Sequence, residues 1–177
     1  MIITLESLLW TLPIIFMIHE FEEIIMFNPW YRKNELWLVG KHPKLEKMYK
    51  IAKSSTSALS LGISYEFVLI SVITLIAVEL KIYALWIGIL IGFFLHLCGH
   101  IGSSFIKRGY VPSLFTSILG VIYTLVVIEE LIKMIKLDLI DVFMWTVVAI
   151  ILIVVNLQIV IKIIETFDKW LINWSKA

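Results

Sequence analysis

The sequence predicts an all-α polytopic membrane helix bundle, a single transmembrane domain over residues 1–177 with about five spans. Three observations carry this. Of 177 residues 60% are hydrophobic and 16% charged, with a mean hydropathy of +0.98, more apolar than a soluble domain needs. The apolar residues fall in blocks of about twenty, the length that crosses roughly 30 Å of hydrocarbon as a helix. Within the blocks there is no alternation of apolar and polar residues, which a transmembrane barrel requires. The blocks leave no room for a soluble catalytic domain, and a net charge of +1 excludes the basic balance of a nucleic-acid binder. A single cysteine, Cys98, excludes an internal disulfide and any CxxC motif.

The first expected span covers residues 2–27. It lacks a basic segment before its apolar core and a small-x-small cleavage site after it, so it reads as a retained helix and not a signal peptide. The connection 28–56 places Leu45, Met48, Tyr49 and Ala52 on one helical face, with Lys44, Lys47, Lys50 and Lys53 around the rest. That is the pattern of a basic amphipathic helix anchored on an anionic leaflet. The second span, 57–78, carries a seam of Ser57, Ser60, Ser64 and Ser71, expected to pack a neighbour, and Glu66 on the opposite face. In the third, 82–105, Gly88, Gly92, His96, Gly99, His100 and Ser103 share a stripe of about 120°, with Cys98 opposite as a packing residue. The fourth, 112–132, starts with Pro112 in its first turn and bears Ser113, Thr116, Ser117, Gly120 and Thr124 on one face. The fifth, 140–163, contains Asn156 and Gln158, suited to interhelical hydrogen bonds.

Twelve basic residues fall in the connection 28–56, the turn at Lys107 and Arg108 and the C-terminal tail, against Lys81, Lys133 and Lys136 on the other side. The positive-inside rule then sets the N-terminus outside and the C-terminus in the cytoplasm. Trp30, Trp37, Trp170 and Trp174 stand where interfacial anchors belong.

Ionisable residues within a span cost several kcal/mol unless paired, so they mark a site. His19, Glu22 and Glu23 share one face of the first span, while Glu20 points elsewhere. His96 and His100, at i and i+4, suit two imidazoles on one ion. Counted from the expected cytoplasmic ends, His19, Glu66 and His96 lie about eight or nine residues deep and His100 about five, so three helices bring them to one layer. The predicted metal ligands are His19, Glu22, Glu23, Glu66, His96 and His100, and the fourth histidine, His42, lies in the connection. Imidazoles with carboxylates suit zinc first, with iron or manganese as alternatives. The competing account is a metal-free His/Glu network that locks the bundle. The N-terminus of the fourth helix, with Arg108 beside it, offers an anion site, or is an ordinary cytoplasmic turn.

His19-x-x-Glu22-Glu23, then His96-x-x-x-His100, then Arg108-Gly-Tyr110-Val-Pro112 with Thr116 following, resembles the HXXEE-domain proteins over about residues 5 to 135. These are small bacterial membrane proteins, and the resemblance implies one shared site in a bacterial cytoplasmic membrane without supplying a reaction. The family commonly places a glycine after the proline, where this chain has Ser113.

Two function classes follow. One is a metal-dependent, hydrolase-like enzyme acting on a lipid or isoprenoid, with Glu22 or Glu23 as general base and Arg108, Tyr110 and Thr116 binding substrate. The other is a non-enzyme: a carrier, an immunity or resistance protein, or a complex subunit. Transporters usually carry repeats or broken helices, and none is visible. The expected partners are membrane lipids and a lipid-like substrate, with an oligomer or partner subunit as a further option and no nucleic acid.

Overall fold

The computed structural model describes residues 4–41 and 53–176. Its elements are α1 (Leu5–Leu9), α2 (Thr11–Lys41), α3 (Thr56–Leu80), α4 (Tyr83–Lys107), α5 (Leu114–Met134) and α6 (Leu139–Trp174). The described residues are helical with short connections and no strand, as the composition predicts. Helices α3, α4, α5 and α6 are each long and apolar enough to cross a membrane. Their outward faces bear large apolar side chains such as Val68, Leu119, Ile122 and Val154. In water such faces would drive aggregation, whereas lipid solvates them.

The first expected span differs from its prediction at both ends. It starts as the single turn α1, capped by Thr4, whose Oγ1 accepts from the Ser7 amide at 3.2 Å. The chain then breaks at Trp10. Pro13 explains the break, because proline fits a first helical turn but has no N–H with which to continue a ladder from residue 9. At the far end α2 does not stop at Phe27 but runs through Pro29 to Lys41. The Asn28-Pro29 pair reads as a helix stop, yet the residues after it are good helix formers and the Trp30 indole is tied to the Tyr110 carbonyl at 2.7 Å. Asn28 itself donates to Thr56 Oγ1 at 3.0 Å, pinning the start of α3. The amphipathic face assigned to Leu45, Met48, Tyr49 and Ala52, and His42, lies outside the described residues.

Helix α4 packs against α3, α5 and α6, and α2 lies against α3 and α5. Glycine permits the closest of these approaches. A Cβ on Gly88 would lie 2.7 Å from the Trp145 carbonyl oxygen of α6, and one on Gly120 would lie 2.8 Å from Leu97. The glycine-histidine stripe of α4 is therefore divided, with Gly88 and Gly92 facing α6 while His96 and His100 reach α2. Gly99 has open space around it. Buried Trp86 donates its indole N–H to Thr74 Oγ1 at 3.2 Å, linking α4 to α3 in the core.

Two packing expectations are corrected. The serine seam of α3 is not a packed interface throughout: Ser57 and Ser64 are exposed, and Ser60 and Ser71 are half-buried. Ser60, Ser64 and Ser71 donate to carbonyls four residues back on their own helix, which satisfies hydroxyls on an outer surface without a partner. The buried residues of α3 are Ala58, Leu59, Gly62, Ile63, Thr74 and Ala77. Cys98 is exposed and not a packing residue.

Candidate metal centre

Helix α2 meets α4 through side chains. Phe16 and Phe93 make an edge-to-face pair at 6.0 Å, and one turn further along His19 reaches His96. Beyond them α4 ends at Lys107, with Arg108 in the left-handed conformation, and the turn to α5 folds back over α2. Ser113, immediately before α5, has φ 62° and ψ 15°. This is the backbone that glycine adopts freely and that other residues adopt at some cost. Its hydroxyl lies 3.4 Å from the His19 carbonyl and 3.5 Å from Glu23 Oε2. Ser113 is fully buried, so contacts with α2 hold this backbone where a glycine would adopt it freely.

Four side chains converge. Ligand atoms of His19, Glu23, His96 and His100 all lie within 4.8 Å of one another, a group that could hold a metal ion. His96 Nε2 is 3.2 Å from His19 Nε2 and 3.1 Å from His100 Nε2, and Glu23 Oε2 is 3.6 Å from His100 Nε2. Two nitrogens on a tetrahedral zinc, each at about 2.0–2.1 Å, stand roughly 3.3 Å apart, close to these separations.

The outer nitrogens decide the tautomers. His100 Nδ1 is 2.9 Å from the Pro112 carbonyl, which can only accept, so Nδ1 carries the proton and the neutral ring presents a lone pair at Nε2. The Thr116 hydroxyl donates to Glu22 Oε2 at 2.7 Å and so accepts, at 3.2 Å, from His19 Nδ1. His19 Nε2 is then also a lone pair. Two lone pairs aimed at a third imidazole nitrogen suit a cation between them, and fixing the outer nitrogen is the usual support for a metal-ligating histidine. His19 is buried while His96 is exposed, so the group is open on the His96 side.

Glu22 is turned away from this group. Its carboxylate accepts from the Tyr110 hydroxyl at 2.9 Å, the Thr116 amide at 2.9 Å, the Thr116 hydroxyl and the Phe115 amide. The anion at the α5 N-terminus is thus supplied by the protein itself. Burial, and then the Glu22 carboxylate, raise the Tyr110 phenol above its ordinary range. Tyr110 and Thr116, expected near substrate, are engaged with Glu22, and Arg108 is exposed on the turn. Glu66 accepts from Asn156 Nδ2 of α6 at 3.0 Å and stands outside the group of four.

The structure therefore brings together His19, Glu23, His96 and His100 of the six expected ligands. Sequence reasoning missed two contributors. The Pro112 carbonyl and Ser113 carry no titratable signal, and only the turn that follows α4 brings them to the site. Glu20, read as pointing elsewhere, stands outside the group of four, as expected; it is only 5% exposed and lines a cavity with Glu66 and His96.

No curated protein and no solved structure matches this chain. A family model does match, described as a protein of unknown function with an HXXEE motif, over residues 10–128. The matched stretch includes His19, Glu22, Glu23, His96, His100 and the turn to α5, and it spans more than half of the chain. The chain belongs to the HXXEE family.

Proposed function

We propose that this is an integral membrane protein of the cytoplasmic membrane whose His19, His96 and His100 hold a divalent transition metal, zinc before iron or manganese, with Glu23 beside it and one coordination position left open, for a hydrolase-like reaction on a lipid or isoprenoid. The observation that carries the reading is His96 Nε2 at 3.2 Å from His19 Nε2 and 3.1 Å from His100 Nε2, with the outer nitrogens of His19 and His100 already tied. A metal held by His19, His96 and His100 would supply Lewis acidity toward an ester, amide or phosphate and would make a nearby water easier to deprotonate. Glu23 is the carboxylate nearest the imidazoles and takes the proton. Glu22 acts through Thr116 and His19 as a positioning residue, a change from the ligand or base expected from the sequence. The substrate's head enters from the exposed His96 side and its tail stays between helices.

Metal analysis of protein purified without chelator tests the reading. The expected result is close to one transition metal per chain, with clear loss in His96→Ala and His100→Ala. Because imidazole must be neutral to ligate, the metal is released on acidification. Glu23→Gln is expected to lower turnover of a lipid-like substrate by about 10²–10⁴-fold, the usual contribution of a general base, while most of the metal is kept. A metal-free, well-folded wild type would favour the locked His/Glu network of a non-enzyme.

A further inference from the structure

Beside the imidazole group, and sharing His96 with it, a cavity of about 140 Å³ lies among α2, α3, α4 and α6. Its wall is mostly apolar, with Phe16 and Phe93 among its residues, and its polar members are Glu20, Glu66, His96 and Asn156. No lysine or arginine lines it. Glu20 is 95% buried by its 5% exposure, and its carboxylate makes no hydrogen bond among the described residues. Asn156 spends its amide N–H on Glu66, and its buried Oδ1 has no partner. His96 Nε2 faces the other imidazoles.

The polar inventory of this cavity is almost wholly acceptor: two carboxylates and one amide oxygen. Carboxylates buried in an apolar span need an opposite charge or a proton donor; the cavity wall carries no positive side chain, and its Asn156 amide N–H serves Glu66 and leaves Glu20 without a donor. The remaining surface, Phe16 and Phe93 included, suits carbon. A cavity of about 150 Å³ accommodates one benzene, so the space beside the carboxylates takes a body of roughly that size. We propose that this cavity is a binding site for a compact organic ammonium, its N–H groups on Glu66, Glu20 and Asn156 Oδ1 and its apolar body against Phe16 and Phe93. The site stands whether or not the imidazole group holds a metal.

Two probes of the same ring size separate charge from shape. Full-length protein in lipid nanodiscs is titrated with piperidinium, which offers two N–H groups, and with tetrahydropyran, which offers only an acceptor oxygen, and binding is followed by saturation-transfer NMR. Piperidinium is expected to bind saturably and at least about tenfold more tightly than tetrahydropyran, because its contacts are charge-assisted. Glu66→Gln and the near-isosteric Asn156→Leu should each weaken piperidinium by about tenfold or more, leaving tetrahydropyran unchanged. The wild-type comparison of the two probes decides the matter if either variant fails to fold. Equal affinity for both probes overturns the proposal in favour of a merely apolar cavity. Saturation by sodium or potassium without piperidinium binding overturns it in favour of an inorganic cation. Piperidinium binding abolished by a chelator would assign the ligand to the imidazole group and overturn it as well.

Discussion

Thr116 is the residue on which the imidazole group turns. One hydroxyl serves two masters, donating to Glu22 at 2.7 Å and accepting from His19 Nδ1 at 3.2 Å, and so transmits the charge of Glu22 to the ring that faces the other histidines. Thr116→Val keeps the shape of the side chain and removes that link. Supporting groups of this kind are worth about 10–100-fold in metal affinity, so a competition titration should show a loss of that size with helical content unchanged. Undiminished affinity would mean that the Thr116 contact does not orient His19. Ser113 supplies a second test, because its φ of 62° penalises every residue with a Cβ. Ser113→Gly should be more stable than Ser113→Ala by about 1 kcal/mol, read from thermal unfolding in detergent. At this scale the sequence was informative about which titratable groups would meet: the i, i+4 spacing of His96 and His100 and the shared face of His19 and Glu23 sufficed. It could not give the assignment of Glu22 to the α5 N-terminus, since that depends on how the turn from Arg108 to Ser113 folds back.

At the scale of elements, the distribution of small residues sets which helices touch. Gly88 admits the α6 backbone, with its Cβ position only 2.7 Å from the Trp145 carbonyl oxygen, whereas Gly99 lies in open space eleven residues further along the same helix. Backbone cannot yield as a flexible side chain does. Gly88→Val should therefore force α4 and α6 apart and destabilise by about 1–3 kcal/mol, while Gly99→Ala should be neutral or gain up to about 1 kcal/mol from helix propensity. Thermal midpoints of the two variants check the contrast, and equal effects would contradict the packing described. The four most apolar helices were legible from hydropathy because lipid rewards length and composition directly. The first was not legible at its ends. Pro13 breaks it where the apolar block runs on unbroken, and Pro29 fails to stop it because the turn before α5 holds Trp30 and the start of α3 holds Asn28. The serine seam of α3 misled for a related reason: hydroxyls that bond their own helix are content at a lipid-facing surface.

For the whole molecule, the polar groups gather toward one end. The imidazole group, the turn at Arg108 to Ser113 and the extension of α2 beyond Pro29 lie together, tied by the bond from Trp30 to the Tyr110 carbonyl and by Lys107, whose Nζ stands 5.8 Å and 5.5 Å from the rings of Trp30 and Trp37. Lysine over indole at a helix end is how a chain marks the headgroup layer. Lys81, Lys133 and Lys136 sit at the other ends of α3 and α5 or just beyond them. If the basic excess is read by the positive-inside rule, the marked end is cytoplasmic and α2 is the fifth crossing. Its carboxylates make it less apolar than the other four, and on that reading it would cross because Glu20, Glu22 and Glu23 face protein and not lipid. Single cysteines at Lys44, Lys136 and Ala177, in a Cys98→Ser background, can be labelled in intact cells with a membrane-impermeant maleimide. The expected result is labelling at Lys136 alone, with Lys44 and Ala177 labelled only after permeabilisation. Labelling of Lys44 and Lys136 from the same side would require α2 or another helix to lie along the membrane instead of crossing it, and the imidazole group would then have to be reached from a different face.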